Sequence, residues 1–311
     1  MKGNKRMKKR LVITGAGGFL GRHLIQGVLK YTDYEEIIAI TIGAEELNRT
    51  ILQKGKLRIL EAGALSRGEM KLDGKDVVIN CAYPRAMKGK DVTIGLNYIE
   101  YVFQESAKAK IAGIINISSQ SVYDPQRIEA ALESDIPVLT DEYSIGKYCS
   151  EMFLRNICAG IPYTNIRLAS LIGPGFDVRV PNKMVKSALE TGRITAEENK
   201  QRFGYLDVED AVNGLINLLS IEPRNWKHVY NMGGNGSYSL VEIATEIKKT
   251  IEQDDYGKEI TIDLTSSERY TNSEIKSDLI ESDIGHYCWN DFGKTIHKIV
   301  TYERSISKKG D

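Results

Sequence analysis

Cysteine is scarce in this sequence, with four residues among 311, and none of them stands in a CxxC or other metal-ligand spacing. So few thiols exclude a disulfide-rich scaffold. We predict that Cys81, Cys149, Cys158 and Cys288 are reduced packing residues of a cytoplasmic protein. The four histidines are equally scattered, so the sequence predicts no metal site.

Long hydrophobic runs are also missing. No stretch approaches the roughly 20 apolar residues that cross a bilayer, so we expect no membrane partner. The first ten residues, MKGNKRMKKR, carry six basic side chains ahead of the apolar run LVIT and superficially resemble the start of a signal peptide. The glycines of TGAGGFLG interrupt that run at once, and no small-residue cleavage site follows.

An excess of charge of either sign is absent, because Lys plus Arg and Asp plus Glu both number 42. A balanced charge gives no indication of a nucleic-acid partner and favours a small ligand. With 41% hydrophobic and 27% charged residues, the composition is that of a globular protein with one large or two modest domains.

Short β-branched runs alternate with helical patterns through the first half of the chain. The runs predict strands at 11–14, 36–41, 56–60, 76–82, 111–119 and 162–169. Helical patterns lie at about 22–30 and 95–109, a polar segment covers 191–201, and Ser239 with Glu242 predicts a capping box. The alternation favours an α/β fold, a doubly wound parallel sheet with helices on both faces.

A glycine-rich loop, TGAGGFLG at residues 14–21, lies directly between the first strand and its helix. Gly15, Gly18 and Gly21 would allow a tight turn, close approach of a pyrophosphate and close packing of helix on strand. The first helical residues, Phe19 and Leu20, would supply amide donors to the anion. In this position the loop predicts a dinucleotide site rather than a plain turn.

The end of the second strand reads AITIG, so Thr41 stands where an NAD site usually has an acidic residue. Neither position 42 nor 43 carries an Arg or Lys that would bind the 2′-phosphate of NADP. Glu45, Glu46 and Arg49 follow and could serve either cofactor. The residues therefore leave NAD and NADP open.

Residues 143–147 read YSIGK. On a helix, Tyr143 and Lys147 would lie on one face, where the ammonium favours the phenolate and so favours a base. An exposed helix face is the alternative. The strand before this helix ends in SSQSVY, at residues 118–123, and its hydroxyls would meet the pair at the carboxyl edge of a parallel sheet.

With TGxxGxxG, a serine at the strand end and YxxxK, the sequence resembles the extended short-chain dehydrogenase/reductase superfamily, specifically the NAD-dependent epimerase/dehydratase family that acts on nucleotide sugars. The resemblance runs from Leu11 to about Val300 and includes the segments DVVINCAYP, IRLASLIGPG, FGYLDVEDAVNGL and VYNMGGNGSYSLVEIA. It implies a Rossmann domain at 8–170, to which 204–233 return. A smaller substrate-binding domain would comprise 171–203 and 234–311.

The resemblance also implies catalytic roles. Tyr143 would be the general base, and Lys147 would lower its pKa and bind the nicotinamide ribose. Ser119 would orient the sugar, because the hydroxyl residue of the family stands four positions before the tyrosine of a VY pair, here Tyr123. Ser118 is the alternative, as a strand-end residue satisfied by the backbone.

Further positions match family residues that line the ligands. Ala82 and Arg85 follow the fourth strand and match cofactor-lining positions, although Arg85 could equally be a solvated loop charge. Ser170 stands where the family often has an Asn that touches the sugar nucleotide, and Asn182 matches another substrate-contacting region. Arg202 is the candidate for the substrate diphosphate, with a solvated strand charge as the alternative.

The family chemistry is a transient oxidation of the sugar. The 4,6-dehydratases carry an Asp-Glu pair directly after the strand-end hydroxyl, whereas this chain has Gln120 and Ser121. We therefore predict an NAD-dependent nucleotide-sugar 4-epimerase of the UDP-glucose or UDP-N-acetylglucosamine type. A sugar-nucleotide reductase comes second, and a noncatalytic dinucleotide-binding sensor third. The resemblance also implies a homodimer formed through the helices near 95–110 and 142–158.

Overall fold

The structure, a computed structural model, describes residues 9–51, 55–83, 92–254, 259–285 and 289–307. In chain order the strands are β1 (Arg10–Thr14), β2 (Glu36–Thr41), β3 (Leu57–Glu61), β4 (Asp76–Asn80), β5 (Gly113–Ser119), β6 (Tyr163–Leu168), β7 (Ser170–Ile172), β8 (Arg193–Asp207), β9 (Val229–Met232), β10 (Ser237–Tyr238) and β11 (Thr261–Asn272).

The helices in chain order are α1 (Phe19–Tyr31), α2 (Ala44–Thr50), α3 (Val92–Ala109), α4 (Glu142–Ile157), α5 (Val180–Thr191), α6 (Val208–Leu219), α7 (Leu240–Asp254), α8 (Asp278–Ile284) and α9 (Phe292–Ser307). Within the described residues, no helix is long and apolar enough to cross a membrane.

The chain divides into two compact units. The first unit contains the described residues of 1–122, 137–167 and 212–230. The second unit contains those of 123–136, 168–211 and 231–311. The domain prediction differs from this division at three places: residues 123–136 and 168–170 join the second unit, and within 204–233 only 212–230 join the first.

Long-range contacts explain the differences at 123–136 and at 212–230. Residues 123–136 are tied within the second unit, where the backbone N–H of Asn272 donates to Pro125 O at 2.9 Å and Ala131 forms a bridge with Ile275. Within the first unit, α6 packs closely on α1, because a Cβ on Gly27 would lie 2.4 Å from Val212 Cγ1. Neither contact leaves a signal in the local sequence.

A parallel sheet forms the centre of the first unit. Over the described residues its seven strands follow the order β3-β2-β1-β4-β5-β6-β9, and the pairs β1–β2, β1–β4, β2–β3 and β4–β5 are parallel. Every residue of β4, β5 and β6 is buried, as expected of strands covered on both faces. The predicted α/β fold with a doubly wound parallel sheet is confirmed. The strand order reverses at β1, and ligands bind at such switch points.

A buried ladder of polar side chains crosses this sheet. Thr14 donates to Asn80 Oδ1 at 2.6 Å, and Asn80 donates to Asn116 Oδ1 at 2.9 Å. Asn116 in turn donates to Asn165 Oδ1 at 2.9 Å and to Ser150 Oγ on α4 at 3.1 Å. Because a buried polar group without a partner is costly, these bonds favour one arrangement of β1, β4, β5, β6 and α4.

The second unit is built around the long strand β8. This strand pairs in parallel with β11 and with β7, and antiparallel with β10. Most of the polar segment 191–201 forms the first half of β8, where Ile194 and Ala196 are buried and the exposed Arg193 pairs with Asp263. Helices α5, α7 and α9 pack on the buried residues of β8.

Candidate active site

The phosphate loop follows β1 and needs its glycines. Gly15 has φ +66°, and a Cβ there would lie 2.4 Å from the backbone nitrogen of Ala82. A Cβ on Gly21 would lie 2.6 Å from Gly15 O. Gly18 is the N-cap of α1 and offers no side chain to cap the helix, which begins at Phe19 and continues through Leu20. This shape fits a pyrophosphate at the helix N-terminus.

Thr41 lies at the end of β2, against the same loop. Its hydroxyl accepts from Gly17 N at 3.1 Å and donates to Ile42 O at 3.1 Å. A Cβ on Gly17 would lie 2.5 Å from the Thr41 hydroxyl oxygen. The contact places the end of β2 beside the loop, where the adenosine ribose of a dinucleotide binds in folds of this kind.

Helix α4 carries the tyrosine and the lysine, and its start is well defined. Asp141 is the N-cap and accepts from Ser144 N at 2.7 Å, while Asp141 N donates to Ser144 Oγ at 3.1 Å. The predicted capping box at Ser239 and Glu242 is also confirmed, because Glu242 N donates to Ser239 Oγ at 3.2 Å and Ser239 N donates to Glu242 Oε2 at 2.7 Å. The box in α4 fixes the first turn of the helix, which contains Tyr143.

Lys147 connects α4 to β5. Its ammonium donates to Ile117 O at 2.7 Å, two residues before Ser119, and lies 5.9 Å from the centroid of the Tyr143 ring. Lys147 is 5% exposed and Ser119 is 8% exposed, whereas Tyr143 is 38% exposed. The charge is therefore held inside, beside a phenol that solvent or a ligand can reach. Such a set can take a proton from an alcohol.

The neighbouring serines, Ser118 and Ser119, have different surroundings. Ser118 donates to Glu151 Oε1 at 2.5 Å, and Glu151 forms a buried ion pair with Arg167 at 2.8 Å. Ser119 instead shares a hydrogen bond of 2.7 Å with the hydroxyl of Ser121. Because the Ser118 hydroxyl belongs to a buried network of the fold, the geometry favours Ser119 as the hydroxyl that meets a ligand.

Tyr83 is a site residue that the sequence interpretation missed. Its ring centroid is 4.5 Å from Lys147 Nζ and 5.1 Å from the Tyr143 ring, edge to face, and its hydroxyl donates to Tyr143 O at 3.3 Å. A Cβ on Gly146 would lie 2.2 Å from the Tyr83 hydroxyl. Burial raises the pKa of Tyr83 to about 12, so the phenol stays neutral and can donate.

The available signal for Tyr83 was its place in the sequence, directly after Ala82 and the fourth strand.

Cys81 stands next to Ala82, and burial raises the pKa of its thiol to about 12, against the opposing effect of the Lys147 charge. A thiol with this pKa is a packing group rather than a nucleophile. Arg85, the other candidate predicted after this strand, lies outside the described residues.

Ser119 belongs to the first unit, and the other three substrate candidates belong to the second. Ser170 begins β7 and is paired in register with Tyr205 of β8. Asn182 is 2% exposed in the first turn of α5, and its amide donates to Gly173 O at 2.8 Å. Its Oδ1 has no hydrogen-bond partner among the described residues. A buried acceptor of this kind is what a ligand donor would satisfy.

Arg202 is already engaged within the second unit. Its guanidinium pairs with Glu242 at 2.6 Å and donates to Ser237 O and, at 3.4 Å, to Ser237 Oγ. The side chain is 40% exposed, so part of the guanidinium faces solvent. Its role toward a diphosphate stays a prediction, as do the roles of Ser170 and Asn182.

Curated relatives match most of the chain. UDP-glucuronic acid decarboxylase 6 of Arabidopsis thaliana is 24% identical over 260 residues, which cover 79% of this chain and 75% of the relative. The dTDP-D-glucose 4,6-dehydratase of Homo sapiens is 23% identical over 271 residues, with 79% and 75% covered.

Solved structures share the fold. The UDP-glucuronic acid 4-epimerase of Bacillus cereus, in a mutant form bound to UDP-4-deoxy-4-fluoro-glucuronic acid and NAD, superposes with a TM-score of 0.82 at 18% identity, over 96% of this chain and 99% of that one. The UDP-N-acetylglucosamine 4-epimerase of Bacillus cereus gives a TM-score of 0.76 at 18% identity, over 95% and 96%.

A family model also matches, over residues 11–233, under the description NAD dependent epimerase/dehydratase family. The match spans the phosphate loop, the end of β5 and the tyrosine and lysine of α4. Its description confirms NAD as the predicted cofactor, and the loop of the first unit fits that group. This chain belongs to the NAD-dependent epimerase/dehydratase family.

Proposed function

We propose that this chain is an NAD-dependent nucleotide-sugar 4-epimerase that works through a transient 4-keto sugar. The observation that carries the proposal is the pair after the strand-end hydroxyl. Gln120 and Ser121 stand where the 4,6-dehydratases have an acid and a base, and Ser121 is hydrogen-bonded to Ser119 at 2.7 Å. An amide and a hydroxyl at these positions cannot supply the acid and base that eliminate water.

The residues of the first unit would divide the work as follows. The loop of Gly15, Gly18 and Gly21 would hold NAD, which would supply reversible hydride transfer at C4 of the sugar, with removal from one face and return to the other. Tyr143 takes the proton of the 4-hydroxyl, and the Lys147 ammonium stabilises the phenolate that does so. Ser119 hydrogen-bonds the same oxygen. Tyr143 then returns the proton to the alkoxide, so that protons and electrons balance over the cycle.

The second unit would hold the nucleotide sugar. Asn182 has a buried Oδ1 that can accept from a ligand hydroxyl or N–H, and Ser170 offers a hydroxyl at the start of β7. Arg202 would bind the diphosphate through the exposed part of its guanidinium, with Ser237 and Glu242 fixing its orientation.

A homodimer in the cytoplasm completes the proposal. The first-unit helices α3 and α4 expose the apolar side chains Ile94 and Met152, at 68% and 48%. Covering them with a second copy would remove apolar area from water. Cys81, Cys149 and Cys158 are free thiols, as is usual in a reducing compartment. Sedimentation of the purified protein measures its mass, and a monomer at micromolar concentration would contradict the dimer.

A decarboxylase is the second candidate, because three relatives in Arabidopsis thaliana at 24% identity are UDP-glucuronic acid decarboxylases. Oxidation at C4 of a uronic acid creates a ketone β to the carboxylate. The C–C bond to the carboxylate then breaks, CO₂ leaves, and its electron pair forms an enolate that takes a proton from solvent. The hydride removed in the oxidation would then return to C4 and give the pentose. This route needs the same base and ammonium, and no acid-base pair at 120–121.

The test is proton NMR of the purified protein with UDP-glucose, UDP-N-acetylglucosamine, UDP-glucuronic acid and their C4 epimers, without added nicotinamide. Appearance of the other epimer supports the 4-epimerase and identifies its sugar. A pentose product from UDP-glucuronic acid, with release of CO₂, would establish the decarboxylase instead. If all six compounds stay unchanged while the protein carries NAD, the 4-epimerase proposal fails for these sugars.

A further inference from the structure

Two charged side chains of the first unit meet beside the phosphate loop. Arg22, on α1, donates through Nε to Gly17 O at 2.7 Å and through Nη2 to Glu46 Oε1 of α2 at 2.7 Å. The Nε bond fixes the guanidinium to the loop backbone. The Glu46 carboxylate pairs with a second nitrogen of the guanidinium. The side chain of Arg22 is 39% exposed and that of Glu46 is 71% exposed.

This cluster lies where a dinucleotide places its adenosine ribose. In folds of this type the residue at the end of the second strand reads the 2′ position of that ribose. Here that residue is Thr41, whose hydroxyl accepts a hydrogen bond from Gly17 N. The carbonyl oxygen of the same Gly17 accepts the hydrogen bond from Arg22 Nε. The end of β2, the loop and the Arg22–Glu46 pair are therefore one contiguous surface.

Thr41 cannot by itself distinguish NAD from NADP. It has no charge, and its hydroxyl already donates to Ile42 O while accepting from Gly17 N. The neighbouring pair of Glu45 and Arg49 is 3.5 Å apart and its side chains are 89% and 80% exposed, so these two point into solvent. Arg22, by contrast, binds the loop directly and carries Glu46 with it.

We propose that Glu46 is the residue that excludes NADP, by holding the Arg22 guanidinium and by repelling the 2′-phosphate. A free arginine at this place would bind a 2′-phosphate, because its planar fork matches that group. With Glu46 in place, the arginine is neutralised, and a doubly charged phosphate would also meet a carboxylate. A 2′-hydroxyl suffers no such repulsion. The inference rests on the dinucleotide cofactor of the family and is independent of which sugar reaction follows.

The test compares the purified protein, with its bound nucleotide exchanged out, with Glu46→Gln and Arg22→Gln/Glu46→Gln in calorimetric titrations with NAD and with NADP. Glu46→Gln keeps the size of the side chain and removes its charge. We expect NADP to bind about tenfold more tightly to Glu46→Gln than to the unaltered protein, the size of one charge-assisted hydrogen bond. The affinity for NAD should change less than about threefold, and the double variant should lose the part of the gain that the released arginine supplies.

Glu45→Gln is the matched control, since it removes a carboxylate from the adjacent position of the same helix without touching Arg22. It should leave the ratio of the two affinities unchanged. If Glu46→Gln leaves that ratio unchanged, or if Glu45→Gln alters it equally, the proposal is overturned. Retention of the full NADP gain in the double variant would also overturn it, because the arginine would then play no part.

Discussion

The two units of this protein use their polar side chains differently. In the first unit, buried networks such as Ser118–Glu151–Arg167 consume the polar groups next to the site, so Ser119 and Tyr143 are left at the carboxyl edge of the sheet. In the second unit, the best candidate for the substrate diphosphate, Arg202, is itself part of the internal network. The family motifs therefore stand out in the first unit, whereas the substrate candidate Arg202 of the second unit also takes part in that unit's internal hydrogen bonds.

Removal of one phenol oxygen in the first unit should have the largest effect. Tyr143→Phe should lower turnover about 10²- to 10⁴-fold, the usual contribution of a general base. NAD binding and the unfolding midpoint should stay unchanged, because the ring remains. Tyr148→Phe, on the same helix, is the matched control and should keep full turnover. Turnover by Tyr143→Phe equal to that of the control would remove Tyr143 from the mechanism.

Breaking the buried ion pair tests whether the first unit depends on its internal network. Glu151→Ala leaves Arg167 charged and buried, which should lower the free energy of unfolding by about 3–5 kcal/mol. Denaturant unfolding measures this loss. Glu142→Ala removes an exposed carboxylate from the first turn of the same helix and should have a small effect. Equal effects of the two substitutions would show that the network contributes little.

Arg202 tests the second unit in the same way. Arg202→Gln should raise KM for the nucleotide sugar about tenfold or more, because a charge-assisted contact to phosphate is lost. Its kcat should change much less. Glu242→Gln breaks the same ion pair but keeps the guanidinium, so it separates binding from folding. A lower unfolding midpoint with an unchanged KM in Arg202→Gln would assign the arginine to the fold alone.

Tyr83 should give the smallest effect of the four. Tyr83→Leu removes the ring over the Lys147 ammonium and should lower turnover about tenfold, in line with the strength of a cation–π contact shielded from water. Tyr83→Phe keeps the ring and loses only the bond to Tyr143 O, so its turnover should stay within about threefold of the unaltered protein. The two variants separate the contribution of the Tyr83 ring from that of its hydroxyl. An equal loss of turnover in both would contradict the role of the ring.

Local patterns predicted much of the first unit. The phosphate loop, the α/β alternation and the Tyr143–Lys147 spacing each reside in a few consecutive residues, and the structure places the loop after β1 and the pair on one helix. Prediction was poorer where neighbours distant in sequence decide the outcome. The first half of β8 reads as polar because one of its faces is exposed, and only the pairing with β11 makes it a strand.

The sequence by itself indicated the family, the fold class and the candidate residues of the reaction, because glycine conformations, strand periodicity and helical spacing are short-range properties. The tertiary structure alone decided that Glu151 binds the Ser118 hydroxyl, that Tyr83 covers Lys147, that Arg22 meets Glu46, and that 123–136 join the second unit. Each of these depends on a contact between segments far apart in the chain, and such contacts exist only once the sheet and helices have packed.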